Sequence, residues 1–125
     1  MPHDFNAVAK VLGTYFDGLY HSDTKLLAKA FHPQAQYVSV TDGSLLYLTM
    51  DQYFPVVDAR PSPASLGEVR TDENVEIAFA GPATATARVR CSITGKHFTD
   101  CLTLIHIEGR WQIISKVFHY EMKPL

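Results

Sequence analysis

The sequence predicts an α+β domain in which helices come first and a mostly antiparallel sheet follows. In the first third of the chain, apolar residues recur at the three- and four-residue spacing of helices. From about residue 67 onward, apolar and polar residues instead alternate, and glycine-containing turns separate the alternating stretches. The 125 residues are enough for one domain with one core, so a single domain spanning residues 1–125 is expected.

Two helices are predicted before the first strand. Between about residues 4 and 20, one helical face collects the apolar side chains Phe5, Val8, Leu12, Phe16 and Leu19. Ser22 or Asp23 can cap a second helix, because a short oxygen-bearing side chain accepts hydrogen bonds from the free amides of a first turn. That helix should end before Pro33, since the residue preceding a proline is pushed out of helical geometry.

The middle of the chain predicts a hairpin, a short helix and a loop. Two short strands, at residues 35–40 and 44–48, flank an Asp-Gly pair that is typical of tight hairpin turns. Thr49 and Gln52 have the spacing of a capping box, which indicates that a third helix begins there. The stretch ARPSPASLG, residues 59–67, is expected to form an irregular loop.

Four longer strands are predicted to follow, near residues 67–80, 84–94, 97–107 and 110–120. Two-residue turns at Gly95-Lys96 and Glu108-Gly109 would fix the register of the last three. Alternation then places on one face Val89, Cys91, Ile93, Phe98, Asp100, Leu102, Leu104, Trp111, Ile113, Ser115 and Val117. This face is apolar enough to form the core, so the carboxylate within it needs an explanation.

Asp100 is the residue on this face that points to chemistry. An isolated buried carboxylate is costly, so either this end of the sheet is wet or Asp100 has a partner. In the predicted register His119 lies diagonally across on the next strand, and Ser115 and Cys91 are the other candidates. A carboxylate and an imidazole in a partly apolar spot are typical of a small-molecule pocket. The alternative is an ordinary strand end, where Asp100 contacts solvent or a backbone amide and His119 lies on the rim.

Composition argues against several classes of protein. A net charge of −2 without a basic run argues against contact with nucleic acid or with an anionic membrane, and no apolar run approaches the roughly 20 residues of a membrane span. The first ten residues lack the pattern of a secretory signal, so a cytoplasmic protein with Cys91 and Cys101 reduced is expected. The histidines lack metal-ligand spacing and no phosphate-binding glycine loop occurs, so neither a metal nor another cofactor is predicted.

Two stretches of the sequence resemble a known family. The stretch YFDGLYHSDTKLLAKAFHPQAQY has a tyrosine-rich helix end, a Ser-Asp break and F-H-P before a strand, and FTDCLTLIHIEGRWQIISKVFH matches the pattern F-x-D-x-L-x-L … G-x-W-x-I-x-x-K. With helices before a long sheet, the chain resembles the nuclear transport factor 2-like superfamily over nearly its whole length. Within that superfamily it is similar to the small bacterial group labelled "Putative lumazine-binding", close to the SnoaL-like proteins. Relatives include ketosteroid isomerase, scytalone dehydratase, polyketide cyclases and non-catalytic association domains, so fold alone does not choose a function.

The resemblance implies a cone, in which a strongly curved sheet wraps around the helices and a pocket opens between them. Besides Asp100 and His119, the pocket positions it implies here are Tyr15, Phe16, Tyr20, Tyr37, Tyr53 and Ser115. In catalytic relatives a buried Asp or His removes a proton next to a carbonyl or assists water loss, so Asp100 would be the base and His119 its partner or the acid. Lys116 fits the family's lysine, but strict alternation puts it on the outer face unless a bulge turns it inward.

Two functions remain open from the sequence. The first is a domain that binds a small hydrophobic or aromatic ligand and acts as a cofactor-independent lyase or isomerase of SnoaL type. The second is a non-catalytic binding or association module, which the lack of a second inward acid favours. On the outer sheet face Ile105, Ile114 and Phe118 form an apolar centre with a polar rim, so a two-fold homodimer through this face is expected.

Overall fold

The computed structural model describes residues 4–123, which form three helices and one six-stranded sheet. The helices are α1 (Phe5–His21), α2 (Thr24–Ala30) and α3 (Met50–Ala59). The strands are β1 (Phe31–Ser39), β2 (Leu46–Thr49), β3 (Glu73–Phe79), β4 (Thr84–Ile93), β5 (Lys96–Ile107) and β6 (Arg110–Met122). Their order in the sheet is β2-β1-β6-β5-β4-β3, and β1 with β6 is the parallel pair in an otherwise antiparallel sheet. The predicted α+β class is confirmed.

The helices begin and pack as their sequences dictate. Asp23 caps α2 by accepting from two amides of its first turn, and Thr49 and Gln52 form both halves of the predicted capping box of α3. Helices α1 and α2 approach closely at Gly18, where a Cβ atom would lie 2.7 Å from the side chain of Leu27. A glycine at this position therefore allows the two helices to touch.

Two hairpin turns set the register of β4, β5 and β6. The β5–β6 turn lies at residues 108–109 as predicted, and both residues have positive φ. The β4–β5 turn lies at residues 94–95 and not at 95–96, because a type I′ turn favours glycine as its second central residue. The observed pairing of β4 with β5 is therefore shifted by two residues from the predicted one, and Cys91 pairs with Phe98. Because the shift is an even number of residues, side chains in both strands keep their predicted faces.

Strand β3 begins later than the sequence predicts. The alternating pattern predicts a start near residue 67, whereas the strand begins at Glu73. The segment before it packs along α1, where the hydroxyl of Tyr20 donates to the carbonyl oxygen of Glu68 at 2.5 Å. Contacts to the helix therefore replace strand pairing in this segment.

A bulge interrupts β6 at its centre. Leu104 faces Ile113 as predicted, but the next pair is Thr103 with Ser115, so Ile114 is an extra residue in β6. One extra residue reverses the alternation of side chains beyond it, and it also bends the strand. The bulge therefore exchanges the two faces of β6 from Ser115 onward.

The reversal overturns several predicted positions in β6. Lys116 and Phe118 are turned inward and buried, whereas Ser115, Val117 and His119 lie on the outer face. The prediction of Ser115 and Val117 on the core face is wrong, and so is the prediction of Phe118 at the outer centre. The cause in each case is the same inserted residue, which strict alternation does not anticipate.

Candidate functional site: a buried tyrosine, aspartate and lysine

Asp100 lies on the core face of β5 and is fully buried. Its cross-strand neighbours are Val89 on β4 and Phe118 on β6, so its surroundings on the sheet are apolar. From α1, the hydroxyl of Tyr15 donates a hydrogen bond of 2.5 Å to Oδ2 of Asp100. The other carboxylate oxygen, Oδ1, is buried and has no hydrogen-bond partner among the described residues.

Lys116 is the second charged group of this site. The bulge brings it onto the core face of β6, where Nζ lies 3.9 Å from Oδ2 of Asp100 and the side chain is 5% exposed. Four aromatic rings surround the ammonium, with centroids 5.1–5.8 Å away: Tyr15, Tyr37, Tyr53 and Phe118. Ring faces attract a cation, so these contacts and Asp100 together offset the loss of water around Lys116.

Burial and the charge of Asp100 together determine the protonation states of Lys116 and Tyr15. Burial alone lowers the pKa of Lys116, but the opposing charge of Asp100 prevails and the net pKa is raised, so the side chain stays an ammonium. Burial and the neighbouring negative charge of Asp100 both raise the pKa of Tyr15 well above its ordinary range. Tyr15 is therefore a neutral phenol that donates, and Lys116 is a fixed positive charge.

Cys91 and Tyr37 lie at the edge of this group. Burial and the charge of Asp100 raise the pKa of the Cys91 thiol to about 12, so it is not a nucleophile at neutral pH. Tyr37 stacks on Tyr53 with ring centroids 4.2 Å apart, and burial raises its pKa. Of the four rings around Lys116, Tyr37 is the one that is only partly buried.

Most of the aromatic pocket residues predicted from the sequence come together, but Tyr20 does not. Tyr15, Tyr37 and Tyr53 gather around Asp100 and Lys116, and Phe16 contacts the ring of Tyr15 at 5.5 Å. The hydroxyl of Tyr20 instead donates a hydrogen bond to Glu68, in the segment before β3.

The predicted pairing of Asp100 with His119 is wrong. His119 lies on the outer face with its side chain 60% exposed, and its Nδ1 atom is 3.1 Å from Oγ1 of Thr41. Its Nε2 atom is 3.6 Å from the carboxylate of Glu121. Ser115, the other predicted partner on β6, also faces outward, so Lys116 is the residue of β6 that meets Asp100.

Lys116 is the site residue that strict alternation missed. The sequence after the bulge contains a signal for it. Strict alternation would place the aromatic side chains of Phe118 and Tyr120 on the outer face and His119 on the core face. A bulge that reverses these positions buries the aromatic rings, so the aromatic pattern at the end of β6 favours an inward Lys116.

The site is closed. Asp100 lines neither of two surface pockets, of about 750 Å³ and 480 Å³, and its side chain is fully buried. His119 lines the smaller one, together with Phe98 and Thr99. Within residues 4–123, no three His, Cys, Asp or Glu side chains converge as a metal ion would require.

The fold and the polar group enclosed by it define a nuclear transport factor 2-like domain with an ionisable core. The chain belongs to the family described as "Putative lumazine-binding", whose model matches residues 3–119. No helix within residues 4–123 combines the length and the apolarity needed to cross a membrane.

Three known proteins illustrate the likeness. A structure described as an NTF2-like protein of unknown function from Shewanella baltica OS155 has a TM-score of 0.83, 30% identity and 94% coverage of each chain. Another, an NTF-2 like protein of unknown function from Silicibacter pomeroyi DSS-3, has a TM-score of 0.82 and 23% identity, and the match covers 93% of this chain and 94% of that one. A protein named aldolase FrzH, from Cladobotryum sp, is 23% identical over 118 residues, which are 93% of this chain and 90% of that protein.

Proposed function

We propose that the chain binds a small carbonyl compound beside Tyr15, Asp100 and Lys116 and removes a proton from the carbon next to the carbonyl. This is the first step of a lyase or isomerase of SnoaL type that needs no cofactor. The observation that carries the proposal is the unpartnered Oδ1 atom of Asp100, buried beside a fixed ammonium.

A buried carboxylate oxygen without a hydrogen-bond partner destabilises the folded state. Leaving a buried polar group without a partner costs about 1–3 kcal/mol, and more for a charged one. Oδ2 of Asp100 is already engaged by Tyr15 and Lys116, so Oδ1 keeps the lone pairs that could accept a proton. Asp100 therefore has the geometry of a general base that awaits a substrate.

The neighbouring donors suit the charge that such a step creates. When the C–H bond breaks, its proton moves to Oδ1 of Asp100 and its electron pair shifts to the carbonyl oxygen, which becomes negative. The ammonium of Lys116 is a donor in a water-poor site, where stabilisation of a developing oxyanion is strongest. The single O–H of Tyr15 donates to Oδ2 of Asp100 at rest, and it can turn to the oxyanion once Oδ1 has taken the proton and the carboxylate is neutral. His119 has no part in this step, because it lies on the other face of the sheet.

The relatives support this reaction class without naming a substrate. Aldol chemistry and carbonyl isomerisation share the enolate that proton removal next to a carbonyl creates. The aldolase from Cladobotryum is consistent with such chemistry, and the family description suggests a small, flat ligand such as lumazine.

Entry of a ligand requires movement of a ring. Tyr37 is the partly exposed member of the aromatic wall, and it lies flat against Tyr53 with an interplanar angle of 23°. A planar ligand that displaces Tyr37 would take over its stacking on Tyr53 and its contact with the ammonium of Lys116. This path explains how a closed core can admit an aromatic or hydrophobic ligand.

Proton exchange tests the proposal on simple ketones, whatever the natural substrate is. In D₂O, ¹H NMR should show faster loss of the α-protons of 4-phenyl-2-butanone or cyclohexanone with protein than with buffer alone. Quenching of lumazine fluorescence tests for a planar ligand in parallel. The variant Tyr15→Phe keeps the ring but removes one donor, so exchange should slow by about tenfold or more. If the wild-type protein neither exchanges any ketone nor binds lumazine, the proposal is refuted.

A non-catalytic association module is the second candidate. The observation that favours it is apolar surface on the outer sheet face, where Val117 is 46% exposed and Tyr47 is 48% exposed. Ile105 on β5 and Ile114 on β6 are partly buried. We infer a two-fold homodimer through this face, with Val117 in the central position that alternation predicts for Phe118.

A cytoplasmic location is part of the same proposal. Cys91 and Cys101, both within the described residues, are free thiols, and free thiols are the usual state of cysteines in reducing compartments. Fusion of the chain to a fluorescent protein and imaging in the source cell would test this location directly.

A further inference from the structure

The larger of the two surface pockets lies towards the end of β5 that is farther from Asp100. It has a volume of about 750 Å³ and opens between the first half of α1, the end of α2 and the β5–β6 turn. His106, which lines it, is six residues from Asp100 along β5, a separation on the order of 20 Å. The fully buried side chains of Leu104 and Ile113 lie between the two ends, so this cavity, here called the basic cleft, is separate from the site above.

Three positive side chains converge on the basic cleft: Lys10 from α1, Lys29 from α2 and Arg110 from the start of β6. None of the ion pairs formed within residues 4–123 involves any of them. Asp4 is the acidic residue in the lining, and its carboxylate is engaged as the N-cap of α1, where Oδ1 accepts from the amide of Ala7 at 3.0 Å. Three cationic side chains against one carboxylate leave this lining with a net positive charge, although the chain as a whole has a net charge of −2.

Part of the basic-cleft lining is apolar. Trp111 lines it and is only 6% exposed, and its ring is held edge-on by Phe79 with centroids 5.8 Å apart. Val11 and Ala30 continue the apolar lining from the two helices. A cavity of this size with an apolar lining and a few convergent polar groups has the anatomy of a small-molecule site.

We propose that the basic cleft binds an amphipathic acid, a small molecule whose apolar body lies against Trp111 and whose oxyanion head is held by Lys10, Lys29 and Arg110. Both a carboxylate and a phosphomonoester provide such a head. The guanidinium of Arg110 can engage two oxygens at once, whereas the lysines act as point charges. This site is independent of the proton-transfer proposal, because it shares no residue with the group around Asp100.

Trp111 provides a direct readout, since it is the one tryptophan in the chain. Its fluorescence, excited at 295 nm, is followed while the protein is titrated with 4-phenylbutyrate, 4-phenylbutyl phosphate or the neutral 4-phenylbutanol. Both anions should change the emission and bind at least about tenfold more tightly than the alcohol, as expected for hydrogen bonds to charged groups. The anion that binds more tightly identifies the preferred head, and inorganic phosphate alone should bind more weakly than the phosphomonoester.

Charge-removing variants decide whether the basic cleft is responsible. Lys10→Met and Arg110→Met should each weaken binding of the anions by about tenfold and leave the alcohol unchanged. Lys25→Met is the matched control, because Lys25 is an exposed lysine of α2 outside the cleft lining. Circular dichroism confirms that each variant is folded. Equal affinity for anions and alcohol, equal effects of Lys25→Met and Lys10→Met, or no binding at millimolar concentration would overturn the proposal.

Discussion

A lysine and an aspartate buried together are seldom retained for stability alone. Removing one member of such a pair costs about 3–5 kcal/mol because the other charge is left unpaired, whereas replacing both with apolar residues is often neutral or stabilising. Lys116→Met should therefore lower the free energy of unfolding by about 3–5 kcal/mol, and Lys116→Met combined with Asp100→Leu should recover most of it. Urea titration measures both.

A surface pair provides the comparison for that measurement. Arg70 contacts Asp17 at 2.7 Å, but both side chains are substantially exposed. Arg70→Met should cost no more than about 1 kcal/mol. If the double substitution at positions 100 and 116 is as destabilising as Lys116→Met alone, the pair is a structural necessity and its retention needs no functional explanation.

Alkaline pH should destabilise the fold through Cys91. Its pKa rises from 9.0 to about 12 on folding, so between these values the folded state keeps a proton that the unfolded state releases. The free energy of unfolding then falls as pH increases, by up to about 1.4 kcal/mol per pH unit for one group. Tyr15 and Lys116 also have raised pKa values and act in the same direction at higher pH.

The contribution of Cys91 can be isolated by substitution. Urea titrations between pH 8 and pH 10.5 should show a shallower decline for Cys91→Ala than for the wild-type protein. Cys101→Ala is the matched control, since Cys101 is exposed. Identical slopes for Cys91→Ala and the wild type would show that the thiol of Cys91 ionises equally in both states.

At the scale of elements, the bulge in β6 determines the site. Ile114 is the extra residue, so deleting it should restore regular pairing while Thr103 still faces Ser115 and Lys116 still faces inward. We expect a folded protein that is less stable by about 0.5–3 kcal/mol. Deleting Val117 instead should turn Phe118 and Tyr120 outward and abolish folding.

Thermal unfolding followed by circular dichroism, with a crystal structure of the Ile114 deletion, checks these outcomes. A deletion variant in which Lys116 points to solvent, or equal tolerance of both deletions, would contradict the assignment of the bulge.

The Glu108-Gly109 turn and the two-residue period were sufficient to place β5 and the first part of β6, whereas the β4–β5 turn and the start of β3 were predicted wrongly. Glycine at the second turn position and alternation of side chains put Leu102 and Leu104 on the core face, where both are buried. The predicted site was only half correct: Asp100 is buried as expected, but its charged partner is Lys116. A bulge is set by tertiary packing across the sheet, so local periodicity cannot reveal that one residue of β6 is extra.

At the scale of the whole molecule, the outer sheet face should mediate dimerisation. An interface of the usual size buries on the order of 800 Å² per subunit. Ile114→Glu would place a carboxylate within this interface, and burying it unpaired should shift the protein to monomer. Light scattering after gel filtration at micromolar concentration measures the mass.

An exposed apolar residue elsewhere provides the control for dimerisation. Val56 on α3 is 50% exposed and lies outside the sheet, so Val56→Glu should leave the dimer intact. A wild-type monomer, or a dimer that is indifferent to Ile114→Glu, would defeat the proposed interface.

We expect Asp100, paired with Lys116, to act as a base on a carbonyl compound. The most direct test is the rate of α-proton exchange in D₂O for the ketone that the wild-type protein exchanges fastest. Asp100→Asn, or the Asp100→Leu and Lys116→Met double variant if the single one does not fold, should lower this rate by at least about a hundredfold. His119→Asn should retain it, since His119 lies on the outer face. A folded Asp100 variant that exchanges at the wild-type rate, or a His119→Asn variant that loses exchange, would show that Asp100 is not the base.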